Sequence, residues 1–236
     1  MLILAVDSST PVAGAALVED HRVLIESFIN YKKTHSETLL PTIDRIMKEC
    51  DCSPADLDAL ALTVGPGSFT GLRIGMATVK GIAMAAHKPI VALSTLDTLA
   101  ANAAGSDDLV GALLDARKNE LYYGFYSMRE QGPEALQEAM VGTPQAVVSQ
   151  ARELMAQGQR VILLGDGYYR YGAYFQQELQ EQLKVMPGHL MLPRAAAAGI
   201  LAVDKAGQGE FEDLYRLGPV YIRLSEAEYR LKKGEI

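Results

Sequence analysis

The sequence has few cysteines, no tryptophan and no long apolar run, and each absence excludes a class of protein. Cys50 and Cys52 are separated by one residue, a spacing poorly suited to a mutual disulfide and only half of a zinc ligand set. We therefore expect a reduced, cytoplasmic setting. No apolar run approaches the roughly 20 residues of a membrane helix, so we expect no membrane partner. The apolar start, Leu2 to Val6, has no basic residues before it and stops at Asp7, which predicts a strand and not a signal peptide.

Basic residues are also fewer than acidic ones. The 22 Lys and Arg stand against 29 Asp and Glu, for a net charge of −7. A protein that binds nucleic acid by itself usually presents a basic field to the phosphates. We therefore expect any nucleic acid contact to depend on a partner.

Metal-ligand patterns are missing from the sequence. The four histidines, His21, His35, His87 and His189, are isolated from one another, and no HExxH motif occurs. A histidine pair on one helix face would need a second imidazole four residues after His35, and that position is Leu39. We expect no metal site in this chain.

What the sequence does contain is a pattern that occurs twice. In each half an apolar strand ends in Asp, at Asp7 and again at Asp115, and turns into a second strand before a series of helices and strands. With 236 residues, 49% of them hydrophobic, two modest domains are feasible. We predict an α/β protein of two related domains, residues 1–105 and 106–236, each a mixed sheet with flanking helices.

The turn after the predicted strand 59–64 has an unusual composition. Gly65 and Gly67 suit a tight turn, and Ser68 is a good N-cap for the helix that follows. A Walker motif would need Lys-Ser or Lys-Thr after Gly71, and Leu72-Arg73 stands there instead. Close packing of the turn and binding of an anion at the helix N-terminus remain equally open.

The helix after this turn carries two strips of small residues. Gly71 and Gly75 form one strip, and Ala77, Gly81 and Ala85 form the other. Each interior glycine costs about 1 kcal/mol relative to alanine, so another element is expected to approach closely. That element is either this chain's own sheet or a partner subunit.

A strand–turn–strand unit repeated with Asp at the first turn resembles the actin, hexokinase and Hsp70 superfamily of duplicated, ribonuclease-H-like (ASKHA) domains. Five motifs make the resemblance specific: LAVDSSTPVAGAAL at 4–17, HSETLLPTI at 35–43, GPGSFTGLRIGMATVKGIA at 65–83, LLDARKNELYYGFY at 113–126 and PVYIR at 219–223. At these spacings the chain resembles the TsaB family, also called YeaZ, over nearly its whole length.

The resemblance implies a part in tRNA threonylcarbamoyladenosine modification. It implies a non-catalytic scaffold or activating subunit that pairs with the paralogue TsaD and recruits the ATPase TsaE. TsaD, which holds a metal and threonylcarbamoyl-adenylate, would transfer the threonylcarbamoyl group to N6 of the adenosine next to the anticodon in tRNAs reading codons beginning with A. ATP, Mg²⁺ and the metal would belong to the partner subunits, with tRNA met only through the complex and a homodimer formed when the chain is alone.

The resemblance also implies a partner interface on the two main helices of the first half. Ordinary core packing is the alternative for every residue of this set. The expected interface residues are Leu39, Ile43, Met47, Leu72, Gly75, Met76 and Val79.

A different class of function remains open, an independent ASKHA-type ATPase or phosphotransferase that uses Asp7 and Asp115 with Mg²⁺. In nucleotide-binding members of the superfamily the two Asp turns approach phosphate and a later glycine turn holds the adenosine. Arg117 and Lys118 place large side chains in the second turn, which disfavours this alternative. The candidate phosphate or nucleotide contacts are Asp7, Ser8, Ser9, Thr10, Asp115, Gly165 and Gly167. A third alternative is a self-contained homodimer that acts as a regulator through the same helices.

Overall fold

The structure is a computed structural model that describes residues 1–31 and 34–222. Its first sheet has the order β3-β2-β1-β4-β5, with β1 antiparallel to β2, β2 antiparallel to β3, and β1, β4 and β5 parallel. These strands are β1 (Leu2–Asp7), β2 (Ala13–Glu19), β3 (Arg22–Ile29), β4 (Ala59–Gly65) and β5 (Ile90–Ser94).

The second sheet repeats this arrangement with the order β11-β10-β6-β7-β8, and a short strand, β9, also pairs with β7. Its strands are β6 (Leu109–Arg117), β7 (Glu120–Arg129), β8 (Gly132–Ala135), β9 (Met140–Gly142), β10 (Val161–Leu164) and β11 (Leu183–Lys184). Leaving β9 aside, each sheet as described has three antiparallel strands followed by two parallel ones. The predicted duplicated α/β fold is confirmed.

In the part of the chain that the structure describes, six α-helices flank the sheets. They are α1 (His35–Glu49), α2 (Phe69–Ala86), α3 (Thr95–Ala100), α4 (Pro144–Leu154), α5 (Asp166–Leu179) and α6 (Ala195–Gly207). Local sequence explains where the first two begin. Thr34 and Glu37 form a capping box before α1, and Ser68 Oγ accepts the Gly71 backbone N–H at 3.2 Å before α2. None of the helices in residues 1–31 and 34–222 is long and apolar enough to cross a bilayer.

The predicted division at residue 105 is wrong for two helices. Leu96 and Leu99 of α3 lie in the core of the second sheet, although α3 follows the first sheet in sequence. Conversely, α6 lies in a core with Ile3 and Val18 of the first sheet. Each sheet has a second apolar face that needs a cover, and the final helix of the other half provides it.

The motif at 219–223 is only partly described. Residues 219–222 do not form a strand, and Arg223 lies outside the described residues. The segment is nevertheless anchored, because the Val220 N–H donates to the Val64 carbonyl at 2.8 Å. This contact ties the end of the described chain to the glycine turn before α2.

Candidate functional site

A cavity of about 490 Å³ lies between the two halves, where turns from both sheets meet. The first half contributes the turn after β1, the start of α1 and the turn between β4 and α2. The second half contributes the turn after β6 and the start of α5. Its wall includes Ser9, Thr10, Pro11, His35, Gly67, Ser68, Phe69, Leu114, Asp115, Ala116, Arg117, Tyr122 and Asp166.

The side chain of Asp7 faces inward. Its Oδ1 accepts from Ser9 Oγ at 2.6 Å, Thr63 Oγ1 at 2.5 Å and the Ser9 N–H at 3.2 Å. The carboxylate is fully buried, and its Oδ2 has no hydrogen-bond partner among the described residues. Burial raises the pKa of Asp7, and the hydrogen bonds from Ser9 and Thr63 lower it, with burial dominant. Asp7 therefore organises the turn and is absent from the cavity wall.

The other three residues of this turn are also used internally. Ser8 Oγ donates to the Gly71 carbonyl at 2.9 Å, and Thr10 Oγ1 accepts the Val12 N–H at 3.3 Å. Ser8, Ser9 and Thr10 expose at most 3% of their surface. Of the four candidate phosphate contacts in this turn, Ser9 and Thr10 reach the cavity wall.

The glycine turn before α2 is filled by the chain's own backbone. A Cβ on Gly67 would lie 2.2 Å from the Ser9 carbonyl oxygen, and one on Gly71 would lie 2.1 Å from that of Ser8. The Ser68 N–H donates to the Ser9 carbonyl at 2.6 Å, so this amide is not open to an anion. Of the two alternatives for the turn, close packing explains its glycines.

The corresponding turn of the second half contains an ion pair. Arg170 Nη1 of α5 lies 3.1 Å from Oδ1 and 2.9 Å from Oδ2 of Asp115. Asp115 Oδ1 also accepts the Arg117 N–H at 2.9 Å. Three consecutive residues here, 117–119, have positive φ, so the turn is tightly wound around the Asp115 carboxylate.

Asp166 supports the Asp115 turn from the start of α5. Its Oδ1 accepts the Asp115 N–H at 2.9 Å. Burial raises the pKa of Asp166, and the hydrogen bond from the Asp115 amide lowers it to a smaller extent. Neither Asp166 nor Arg170 is among the predicted site residues. Their spacing of four on one helix, which puts both on the same face, is a signal that the sequence offers.

The two candidate glycines of the second half lie under the strands and not on the cavity wall. A Cβ on Gly165, which has φ of +113°, would lie 1.8 Å from the Leu113 carbonyl oxygen. One on Gly167 would lie 2.5 Å from a methyl carbon of Leu121. The prediction that Gly165 and Gly167 contact a nucleotide is therefore corrected: they allow α5 to approach β6 and β7 closely.

His35 stands between the cavity and the start of α1. Its Nε2 lies 2.9 Å from the Thr10 carbonyl oxygen, so the ring fastens α1 to the first turn. Within residues 1–31 and 34–222 no group of three His, Cys, Asp or Glu side chains is arranged to hold a metal ion.

These residues do not fit the Mg²⁺-nucleotide site that the ASKHA fold would suggest. Mg²⁺ needs carboxylate oxygens or water-filled space beside phosphate. The Asp7 carboxylate is fully buried behind the cavity wall with hydroxyl donors on its Oδ1, and the Asp115 carboxylate is paired with Arg170. Arg117 adds a large side chain to the wall where a phosphate would have to approach.

The predicted interface residues are buried in this chain's own core. Five of the seven belong to the apolar core between the first sheet and the helices α1 and α2, Leu72 is 1% exposed, and Gly75 touches Ser8. Side chains this buried offer almost no surface to a partner, so the choice of helix face is corrected. The buried residues are Leu39, Ile43, Met47, Leu72, Gly75, Met76 and Val79.

The opposite face of α2 is exposed and poor in charge, whereas the exposed face of α1 carries two ion pairs, Arg45–Glu49 and Lys48–Asp44. Leu40 of α1 is 56% exposed and Met84 of α2 is 53% exposed. Ala77, Gly81 and Ala85 are exposed on α2, and a Cβ on Gly81 would meet nothing within 4 Å. We call these five residues the exposed α1/α2 face. One small-residue strip of α2 thus packs internally and the other is uncovered.

A flank of α2 is covered by the end of the described chain. Lys80 Nζ donates to the Leu217 carbonyl at 2.6 Å. The rings of Phe69 and Tyr221 stack with centroids 5.2 Å apart, and Arg73 lies 3.8 Å over the Phe69 ring. These contacts fix α2 from the side, and no part of the chain that the structure describes covers Gly81 within 4 Å of a built Cβ.

Comparison with known proteins identifies close relatives. Residues 22–229 match the sequence model of the family described as TsaD, tRNA N6-adenosine threonylcarbamoyltransferase. The chain is 32% identical over 229 residues to the tRNA threonylcarbamoyladenosine biosynthesis protein TsaB of Bacillus subtilis, covering 97% of this chain and 96% of that protein.

Solved structures agree with this. YeaZ from Pseudomonas aeruginosa superposes with a TM-score of 0.76 at 27% identity, covering 93% of this chain and 99% of that one. The activator of the 2-hydroxyisocaproyl-CoA dehydratase from Clostridium difficile, with a TM-score of 0.51 at 9% identity, shares the fold alone. The identity over nearly the full length, together with the duplicated fold and the five motifs at their spacings, shows that this chain belongs to the TsaB (YeaZ) family.

Proposed function

We propose that this chain is a non-catalytic, activating subunit of tRNA threonylcarbamoyladenosine synthesis. It pairs with TsaD as a heterodimer and recruits TsaE to the pair. TsaD then transfers the threonylcarbamoyl group to N6 of the adenosine next to the anticodon in tRNAs that read codons beginning with A. The names of its relatives support the pathway, since the Bacillus subtilis homologue is a tRNA threonylcarbamoyladenosine biosynthesis protein. We place the chain in the cytoplasm, where tRNA is modified.

The observation that carries the pairing is the exposed α1/α2 face. Ala77, Gly81 and Ala85 have side chains small enough for another helix to approach the α2 backbone closely. Met84, on the same side of α2 as Gly81, and Leu40 of α1 add exposed apolar surface. In the absence of TsaD, a second copy of the chain occupies this face and forms a homodimer.

The non-catalytic role rests on how the acidic side chains are engaged. Asp7 is fully buried and absent from the cavity wall, with its Oδ1 bound by Ser9 and Thr63, and Asp115 is bound by Arg170. A general base or a metal ligand needs a free carboxylate within reach of substrate. Chemistry and its cofactors therefore belong to the partners, and tRNA is contacted through the complex, in keeping with the net charge of −7.

The experiment is to mix the purified chain with the TsaD of its own organism and measure the mass by light scattering. We expect a heterodimer. Gly81→Leu, which adds a large side chain at a position where a Cβ meets nothing within 4 Å among the described residues, should abolish it. Gly207→Leu is the matched control, because Gly207 is also a helical glycine with nothing within 4 Å of a built Cβ, but lies on α6.

A heterodimer that survives Gly81→Leu would remove the interface from this face. A homodimer that persists at micromolar excess of TsaD would contradict the proposed pairing. In a threonylcarbamoyl transfer assay the isolated chain should modify no tRNA, and addition of TsaD and TsaE should be required. Modification by the isolated chain would overturn the non-catalytic role.

A further inference from the structure

Arg170 stands out because it is a partly exposed cation that binds a carboxylate of the cavity wall. It lies on α5 and reaches back to the turn after β6, where Nη1 binds both oxygens of Asp115 at 3.1 and 2.9 Å. Its Nη2 lies 3.4 Å from Asn119 Oδ1, and its guanidinium sits 5.4 Å from the ring centroid of Tyr171. Three groups of the second half thus contact its guanidinium: the Asp115 carboxylate, the Asn119 amide oxygen and the Tyr171 ring.

The carboxylate that it binds is on the wall of the cavity between the halves. The side chain of Asp115 is 20% exposed, so a charge-assisted contact there is less screened than one at the open surface. The Arg117 N–H also donates to the same carboxylate. A guanidinium and an amide donor together leave Asp115 with little lone-pair capacity for another cation.

A second carboxylate is immediately adjacent. Asp166 lines the cavity and accepts the backbone N–H of Asp115. Two neighbouring carboxylates repel each other unless a cation lies between or beside them. Arg170 supplies that positive charge from four residues along the same helix as Asp166.

We propose that Arg170 is an internal counter-ion that occupies the place beside Asp115 where a divalent cation would bind, and so excludes Mg²⁺-nucleotide from the cavity. The chain keeps the cavity of a nucleotide-binding fold but closes its cation position with a side chain. This proposal does not depend on the pairing with TsaD. It predicts that a single substitution restores affinity for a divalent ion.

The test is a titration with Mn²⁺, which takes the oxygen ligands of Mg²⁺ and is detected by electron paramagnetic resonance, with and without ATP. Arg170→Met removes the charge and keeps most of the apolar stem. The matched control is Arg152→Met, since Arg152 binds Glu178 across α4 and α5, away from the cavity. We expect the native chain and Arg152→Met to bind Mn²⁺ equally weakly, and Arg170→Met to bind it at least about tenfold more tightly.

The double variant Arg170→Met/Asp115→Asn locates the effect. It should lose the gain, because the amide cannot replace the carboxylate as a ligand. Circular dichroism and thermal melting establish that each variant is folded. Equal Mn²⁺ affinity in the native chain and Arg170→Met would overturn the proposal, and so would a gain that survives in the double variant.

The same samples separate this proposal from the proposed function. Arg170→Met lies outside the exposed α1/α2 face and should pair with TsaD as the native chain does. Failure of the native chain to bind TsaD would remove the pairing and leave the role of Arg170 intact. Saturable Mn²⁺-ATP binding by the native chain would remove the role of Arg170 and leave the pairing intact.

Discussion

At the scale of single residues, two glycines of the same helix have opposite surroundings. A Cβ on Gly75 would lie 2.1 Å from Ser8 Oγ, whereas one on Gly81 would meet nothing within 4 Å. Ser8 Oγ is held by its hydrogen bond to the Gly71 carbonyl and cannot move without breaking it. Substitutions at Gly75 therefore test the packing of this chain, whereas substitutions at Gly81 test a surface that a partner could contact.

Gly75→Ala should destabilise the chain by about 1–3 kcal/mol, since added volume in a packed site forces neighbouring groups apart. Gly81→Ala should be neutral or stabilise it by up to about 1 kcal/mol, because alanine is the better helix former. Urea denaturation of the two variants measures the difference. Equal stabilities would contradict the packing of α2 on the first turn. A larger substitution such as Gly75→Leu would disturb this chain's own packing, so it could not report on a partner interface.

A buried carboxylate gives a pH dependence. Burial raises the pKa of Asp97, and hydrogen bonds from Tyr126 and Ser94 lower it to a smaller extent. The folded chain therefore holds this proton more tightly than the unfolded chain, whose Asp has the ordinary value of 3.8. The contribution of Asp97 to stability is intact below that value and is lost as the pH rises through the higher pKa of the folded state.

We expect Asp97→Asn to remove this pH dependence. The variant should become more stable relative to the native chain as the pH rises from about 4 toward 7, so the difference in free energy of unfolding, variant minus native, should increase. Urea unfolding at several pH values measures the trend. A difference between the two proteins that stays constant over this range would show that burial does not perturb Asp97.

At the scale of elements, a partly buried ion pair between Glu26 and Arg194 holds α6 on the first sheet. Glu26 of β3 binds the Arg194 guanidinium, and its Oε1 also accepts the Ala196 N–H at 3.1 Å at the start of α6. The side chain of Glu26 is 11% exposed, so loss of its charge would leave Arg194 poorly compensated. The contact joins segments 168 residues apart in the sequence.

Glu26→Gln should therefore cost about 1–3 kcal/mol and increase amide hydrogen exchange in α6 before that in β1. The control is Glu49→Gln, which breaks the exposed pair between Arg45 and Glu49 on α1 and should cost less than about 1 kcal/mol. Hydrogen exchange followed by mass spectrometry measures the protection of α6 and β1 in both variants. Unchanged protection of α6 in Glu26→Gln would contradict this anchoring.

At the scale of the whole molecule, the exchange of α3 and α6 joins the two sheets into one folding unit. Leu99 of α3 is fully buried in the second core, yet its helix continues directly from β5 of the first sheet. Destabilisation of either core therefore also destabilises a helix whose neighbours in sequence belong to the other half. Two independently folded domains would not be coupled in this way.

Leu99→Ala should cost about 2–5 kcal/mol through the cavity that it leaves. Because of the exchange, both sheets should lose stability together in a single transition. Hydrogen exchange in β1 and in β6 at increasing urea concentration compares the two sheets. Selective loss of protection in the second sheet would show that the halves unfold separately.

The sequence by itself determined the repeated order of strands and helices, because alternation in strands, periodicity in helices and capping residues are local properties. It also determined family membership, through motifs that extend over the chain. Boundaries such as the start of α2 after Ser68 followed from side chain to backbone bonds within one turn. The sequence also predicted that Asp7 and Asp115 lie at corresponding turns of the two halves, because each follows an apolar strand.

Only the tertiary structure decided which face of a helix is buried. The strips Gly71–Gly75 and Ala77–Gly81–Ala85 look alike in sequence, but the first is buried by contact with Ser8, which is remote in the chain. The assignment of α6 to the first sheet and the pairing of Arg170 with Asp115 depend on the same kind of contact. Burial and ion pairing are set by what lies nearby in space, and no local pattern records which distant segment that will be.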